Sequence, residues 1–134
     1  MTRVFLDANV LFSAAYRETN GILRLWEYSN VQLVTSRYAL VEAERNIAAK
    51  RPQATERFAR LTASLELTEA QRPLADDFKL PEKDRPIIEA AVSSDCTVLI
   101  TGDVTHFSPL IGQTVSGITV LTVSMFIAVA ESLP

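Results

Sequence analysis

The strongest constraint on this chain lies in its opening residues. Arg3-Val4-Phe5-Leu6-Asp7-Ala8-Asn9-Val10-Leu11-Phe12 runs a short apolar stretch into a carboxylate and then directly into an amphipathic segment. A run without polar alternation is expected of a central strand covered on both faces, and such strands are usually parallel, with helices above and below. Asp7 then falls at the strand's C-terminal end, the edge at which open α/β sheets hold ligands. Asp7 or Asn9 would serve equally well as the N-cap of a helix starting near Val10, so this stretch alone leaves both roles open.

The rest of the chain repeats the pattern. Thr97-Val98-Leu99-Ile100-Thr101 is a second fully apolar strand, followed by Gly102-Asp103. Val31–Thr35 and Ile118–Thr122 read as further strands rich in β-branched residues, and Leu65–Thr68 alternates like a short edge strand. Between them lie helical patterns. Val10–Tyr16 forms one; Asn20-Gly21 opens another carrying Ile22, Leu25 and Trp26; Ser36 caps a long one reaching about Lys50. Pro52 fits the first turn of a helix with Phe58, Leu61 and Leu65 as its stripe. Pro81 to Pro86 leads into Ile87, Ile88, Ala91 and Val92, and Ser124 is expected to cap a final helix through Met125, Phe126, Ile127 and Val129. From Glu69 to Leu80 the signal is weak and reads as a loop or short helix. Alternation of this kind implies right-handed βαβ units and a three-layer α/β/α sandwich around a parallel sheet of about five strands. At 134 residues the chain suits one domain, residues 1–134.

Composition narrows the function classes. Hydrophobic residues make up 48% with only four glycines and six prolines, which excludes a disordered or linker protein. The single Cys96 cannot form an internal disulfide and lies beside an apolar run, as a buried structural thiol would. No signal peptide is evident, and the stretch Ile118 to Ala130 is too short and too polar for a membrane span. A soluble, cytoplasmic protein is expected. The formal charge of −3 argues weakly against a nucleic-acid binder, but Arg37 to Arg60 holds six cations and three acids.

In a βαβ unit the helix runs antiparallel to its strands, so helix N-termini share the sheet edge of the strand C-termini. Asp7 and Asp103, which end strands, and Asp84, which opens a helix, are therefore expected together; Asp84 also suits an N-cap. Glu42 and Glu44, early in the helix after the second strand, are candidates for a fourth acid. The stripe Leu40, Ala43, Ile47 places Glu44 nearer the core and Glu42 on a polar face with Tyr38, Arg45 and Asn46, so spacing does not choose. Converging carboxylates repel one another and call for a cation. Oxygen ligands suit Mg²⁺ or Mn²⁺, and with His106 and Cys96 the sole histidine and cysteine, zinc is a poor fit. Such a metal, keeping waters, suits phosphodiester hydrolysis.

Taken together these residues resemble the PIN domain family of metal-dependent ribonucleases, which includes the VapC-like toxins of bacterial toxin–antitoxin pairs. The likeness rests on Phe5-Leu6-Asp7-Ala8-Asn9, the helix from Ser36 to Glu42, Asp84-Arg85-Pro86-Ile87-Ile88, and Thr101-Gly102-Asp103 with His106-Phe107 following. It implies a metal site of Asp7, Glu42, Asp84 and Asp103, chosen over Glu44 because Ile47 follows Glu42 by five positions, as the family has it. It also implies sheet order 3-2-1-4-5, which sets Asp7 beside Asp103 at the topological switch point, and an antitoxin partner. Thr101 and Asn9 are expected to orient the acids by hydrogen bonds.

Two other classes compete. A haloacid-dehalogenase-like phosphatase also starts with a strand-end Asp, but it needs a second acid where Asn9 stands and a late lysine, and no lysine follows Lys83. A PIN-like module that binds RNA or protein without cutting is the alternative, against which the intact acids weigh. For single-stranded RNA the densest cations are Arg45, Lys50, Arg51 and Arg57. Ile22, Leu25, Trp26, Phe58 and Leu61 supply more apolar bulk than a small sheet needs, and this, with the family resemblance, suggests a homodimer.

Overall fold

A computed structural model describes residues 1–69, 85–103, 105 and 107–133. The first apolar run forms β1 (Thr2–Leu6), the centre of the sheet. It pairs in parallel with β2 (Val31–Ser36) on one side and β4 (Val98–Ile100) on the other, with Leu6 opposite Ile100. Val4, Phe5, Leu6, Leu99 and Ile100 are wholly buried, which is why these strands carry no alternation. Beyond β2 lies the short β3 (Glu66–Thr68), and beyond β4 lies β6 (Ile118–Leu121), both parallel to their neighbours. The order β3-β2-β1-β4-β6 reproduces the expected 3-2-1-4-5.

A sixth strand was not anticipated. β5 (Thr114–Val115) runs antiparallel to β6 across a two-residue turn. Ser116 and Gly117 both take positive φ, 51° and 81°, the turn whose twist matches flanking strands. The Ser-Gly dipeptide between Thr-Val and Ile-Thr-Val was the available signal.

Helices cover the sheet, completing the three-layer α/β/α sandwich. α1 (Ala8–Tyr16) starts two residues earlier than its apolar pattern suggested, because Asp7 takes the N-cap. α2 (Arg37–Lys50) begins where expected, with Ser36 Oγ accepting the Ala39 amide at 3.0 Å. α3 (Thr55–Thr62) follows a 3₁₀ turn at Pro52–Ala54 and packs with α1 and α2. α4 (Arg85–Ser93) lies against β2, β4 and β6. α5 (Val123–Val129) is capped by Thr122, not Ser124: Thr122 has the extended backbone a cap requires and accepts from Met125 N at 3.2 Å, while Ser124 already lies inside the first turn. Gly21–Glu27 is 3₁₀ rather than α-helix. Asn20 causes the tight reversal into it, donating to the Ser13 and Ala14 carbonyls while its Oδ1 accepts from Ile22 N. The expectation for residues 70–80, and Asp84 itself, lie outside the described residues.

The apolar groups read as surplus are used internally. Leu25 and Phe58 are buried, Ile22, Trp26 and Leu61 pack against the core, and Trp26 Nε1 donates to the Leu61 carbonyl at 2.9 Å. They form no exposed apolar face. Cys96 is buried as expected, and burial pushes its thiol pKa up, which suppresses the reactive thiolate. Among the described residues no helix is long and apolar enough to cross a membrane.

Candidate active site

At the C-terminal edge of β1 and β4 the two strand-end acids are joined by one hydroxyl. Thr101 Oγ1 donates to Asp7 Oδ2 at 2.8 Å and accepts from the Asp103 amide at 3.0 Å. Asp7 is 6% exposed, and its other oxygen, Oδ1, accepts from Ala8 N at 2.7 Å. The cap and the site are thus one residue: Asp7 uses Oδ1 on the helix and turns Oδ2 toward Thr101. The backbone beneath is held by Asp7 N to Ile100 O at 3.1 Å and Thr101 N to Leu121 O at 3.0 Å, with Thr35 Oγ1 donating to Leu6 O at 2.9 Å.

Asn9 closes the arrangement from α1. Its Oδ1 accepts from Gly102 N at 2.7 Å, and its Nδ2 lies 3.5 Å from Asp7 Oδ2, at the limit of a hydrogen bond. A Cβ on Gly102 would stand 3.2 Å from Asn9 Oδ1, closer than ordinary contact, so glycine permits the loop to approach α1. Gly102 was not singled out in the sequence; a glycine directly before a strand-end acid was the clue. Asp103 Oδ1 accepts from Thr105 N at 3.2 Å, turning the chain back behind the acid.

Glu42 lies apart from this pair. It is exposed and lines a hollow of about 640 Å³ that also reaches Ser36, Arg45 and Pro86; neither Asp7 nor Asp103 lines that hollow. Glu44 is exposed and does not line it either. Pro86 stands two positions after Asp84, which is outside the described residues, as is His106. Among the described residues no three of His, Cys, Asp and Glu come together closely enough to hold a metal. Asp7 and Asp103 are brought together; Glu42 shares their sheet edge through Ser36 but not their hydrogen bonds.

The four cations divide. Arg57 donates from Nε to the Ala15 carbonyl at 2.8 Å and from Nη2 to Tyr16 O at 3.2 Å; Arg51 Nε also reaches Tyr16 O, at 3.1 Å, with its guanidinium over the Tyr16 ring. Both close the C-terminus of α1, where orphan carbonyls and the negative dipole end favour cations. These bonds join residues far apart in sequence, so periodicity gave no sign of them. Lys50 lies 5.9 Å over the Phe12 ring. Arg45 remains on the wall of the hollow.

Asp7 and Asp103 thus follow β1 and β4, where strand order reverses, the crevice at which open α/β sheets hold ligands. Residues 3–105 match the model of the PIN domain, and the chain belongs to that family. No curated protein sequence matches it significantly. Among solved structures it is similar to VapBC2 from Rickettsia felis bound to a DNA fragment from their promoter, at 14% identity and TM-score 0.65, over 90% of this chain and 98% of that one. It is also similar to FitAcB from Neisseria gonorrhoeae, at 14% identity and TM-score 0.56, over 90% and 98%. VapBC-1 from nontypeable Haemophilus influenzae matches at 13% identity and TM-score 0.51, over 92% and 99%. At these identities the likeness is one of fold.

Proposed function

We propose that this protein is a Mg²⁺- or Mn²⁺-dependent ribonuclease acting on single-stranded RNA, as the toxin of a toxin–antitoxin pair. The observation that carries the reading is the coupling of Asp7 to Asp103 through Thr101 at the switch point. Asp7 and Asp103, tied through the Asp103 amide at a partly buried edge, would supply half of an oxygen-donor site, and oxygen donors suit a hard divalent cation. Glu42 and Asp84 are proposed to complete it. When bound, the metal would stabilise charge on the scissile phosphate and lower the pKa of an attacking water. The chain's own part is orientation: Thr101 and Ala8 N fix both oxygens of Asp7, and Asn9 ties the Asp103 loop to α1. Thr101 is not proposed as a nucleophile, since its hydroxyl hydrogen is already committed to Asp7.

The family and the VapBC and FitAcB likenesses support an antitoxin as partner. Homodimerisation stays part of the proposal on that likeness, without support from the apolar residues of the early helices. Light scattering at tens of micromolar, roughly where interfaces of ordinary size pair, checks it. The central test is cleavage of diverse labelled RNAs in Mg²⁺ or Mn²⁺ against chelator. Cleavage lost in Asp7→Asn and Asp103→Asn, with RNA binding kept, is the expected result. Binding without cleavage under every metal would make the chain a non-catalytic module.

A further inference from the structure

The hollow that Glu42 lines has a chemistry of its own. Tyr38, Val41, Glu42, Arg45 and Asn46 project from one face of α2, spaced by three, four, seven and eight positions, and Pro86 of α4 forms the opposite wall. Tyr38 is 44% exposed and Val41 36%, a large apolar area to leave open on a helix so short of surface hydrophobics elsewhere. Glu42, Arg45 and Asn46 make no hydrogen bond or ion pair among the described residues, although Asn46 is partly buried. A carboxamide offers donors and an acceptor in one plane, and leaving all of them unmatched in a concavity costs stability unless a ligand or water answers them.

We propose that this hollow receives a nucleobase of the RNA strand next to the cut, and that Tyr38 and Asn46 determine sequence preference. The inference rests on the ribonuclease reading. Single-stranded RNA is read by splaying bases onto aromatic rings or guanidinium planes and bonding their edges, and the hollow supplies each element. Tyr38 provides the stacking face with Val41 and Pro86 closing the apolar floor, Asn46 reads the base edge, and Arg45 neutralises a neighbouring phosphate. Glu42, proposed above as a metal ligand, lies on the same wall, so a base attached to a phosphate held there would be within reach of the hollow. The other arginine there, Arg37, is already paired with Glu69 at 3.1 Å.

The test is binding of four labelled single-stranded RNA octamers, all-A, all-C, all-G and all-U, by fluorescence anisotropy in Ca²⁺, with cleavage measured separately in Mn²⁺. Wild type should discriminate among the four. Tyr38→Ala should weaken the best strand roughly 10- to 100-fold, the range carried by base–aromatic stacking, and Tyr38→Phe should retain it. Asn46→Ala should draw the four affinities together while the metal-induced rise in melting temperature is unchanged. Equal wild-type affinities, no RNA binding, or discrimination untouched by Tyr38→Ala and Asn46→Ala would each overturn the base site; the last is also the outcome if a protein segment fills the hollow. Discrimination lost in the variants as expected, but with no cleavage by wild type in Mn²⁺, would keep the base site and remove the nuclease reading.

Discussion

Two regions at one sheet edge are built on opposite principles. Around Asp7, Thr101 and Asp103 both oxygens of the buried carboxylate, the hydroxyl and the flanking amides have named partners within 3.2 Å. On the α2 wall, Glu42, Arg45 and Asn46 have none among the described residues, and Tyr38 is 44% exposed. Groups locked by second contacts hold a fixed geometry, as a metal site demands. Groups without partners lose little when a ligand reorganises them and gain from one that matches them. Under the function proposed above, the first region would carry the chemistry and the second the recognition.

The sharpest way to break this contrast is to remove charge from the locked region. Asp7→Asn keeps an oxygen for Thr101 or Ala8 N but loses the carboxylate, so folding should survive while cleavage falls by more than the ~10- to 100-fold typical of outer-sphere changes. The metal-dependent rise in melting temperature should vanish as well. If Asp7→Asn cuts RNA normally, the locked region is scaffold only. Next comes Thr101→Val, nearly the same shape, which strips Asp7 of a donor and the Asp103 amide of its acceptor; a loss of about 1–3 kcal/mol in denaturant unfolding is expected.

A paired comparison then sharpens the division among cations. Arg57→Ala should cost about 1 kcal/mol of stability by uncapping α1, with little effect on RNA. Arg45→Ala should do the reverse, leaving stability alone and reducing the slope of log affinity against log salt by about 0.7. Equal behaviour of the two would dissolve the distinction between structural and substrate-facing arginines. The smallest effect lies at the far edge of the sheet, where Arg3 pairs with Glu66 through two hydrogen bonds. That bond lowers the Glu66 pKa, so its contribution is present above the ordinary glutamate range and is lost as pH falls through the depressed value. Both side chains are substantially exposed, so the change in stability between wild type and Glu66→Gln should be about 0.5 kcal/mol or less above the ordinary glutamate range, vanishing in acid.

What could be read from residues alone follows from how local the physics is. β1 and β4 were legible because burial on both faces forces an unbroken apolar run, and Asp7 and Asp103 because they follow those runs, at once or within three residues. The order 3-2-1-4-5 came from the family resemblance, since nothing in a strand's own residues names its neighbours. The β5–β6 hairpin escaped because two residues carry no periodicity. For Arg51 and Arg57 the sequence showed a charge but not the distant carbonyls of Ala15 and Tyr16 that their guanidinium groups meet. Glu42 was placed on a polar face with Tyr38, Arg45 and Asn46, and that face is what lines the hollow; its concavity needed Pro86, from another helix, and could not be seen in α2.

The brevity of the outer strands has a consequence for company. Among the described residues the sheet ends in three residues at β3 and two at β5, and β3 carries Glu66 on its ion pair. A partner that associates by lengthening a sheet needs a run of unsatisfied amides and carbonyls to zip against, and neither border offers one. On the described residues, a protein donating a strand to this one would gain little. The helix-covered faces are what they leave to a partner.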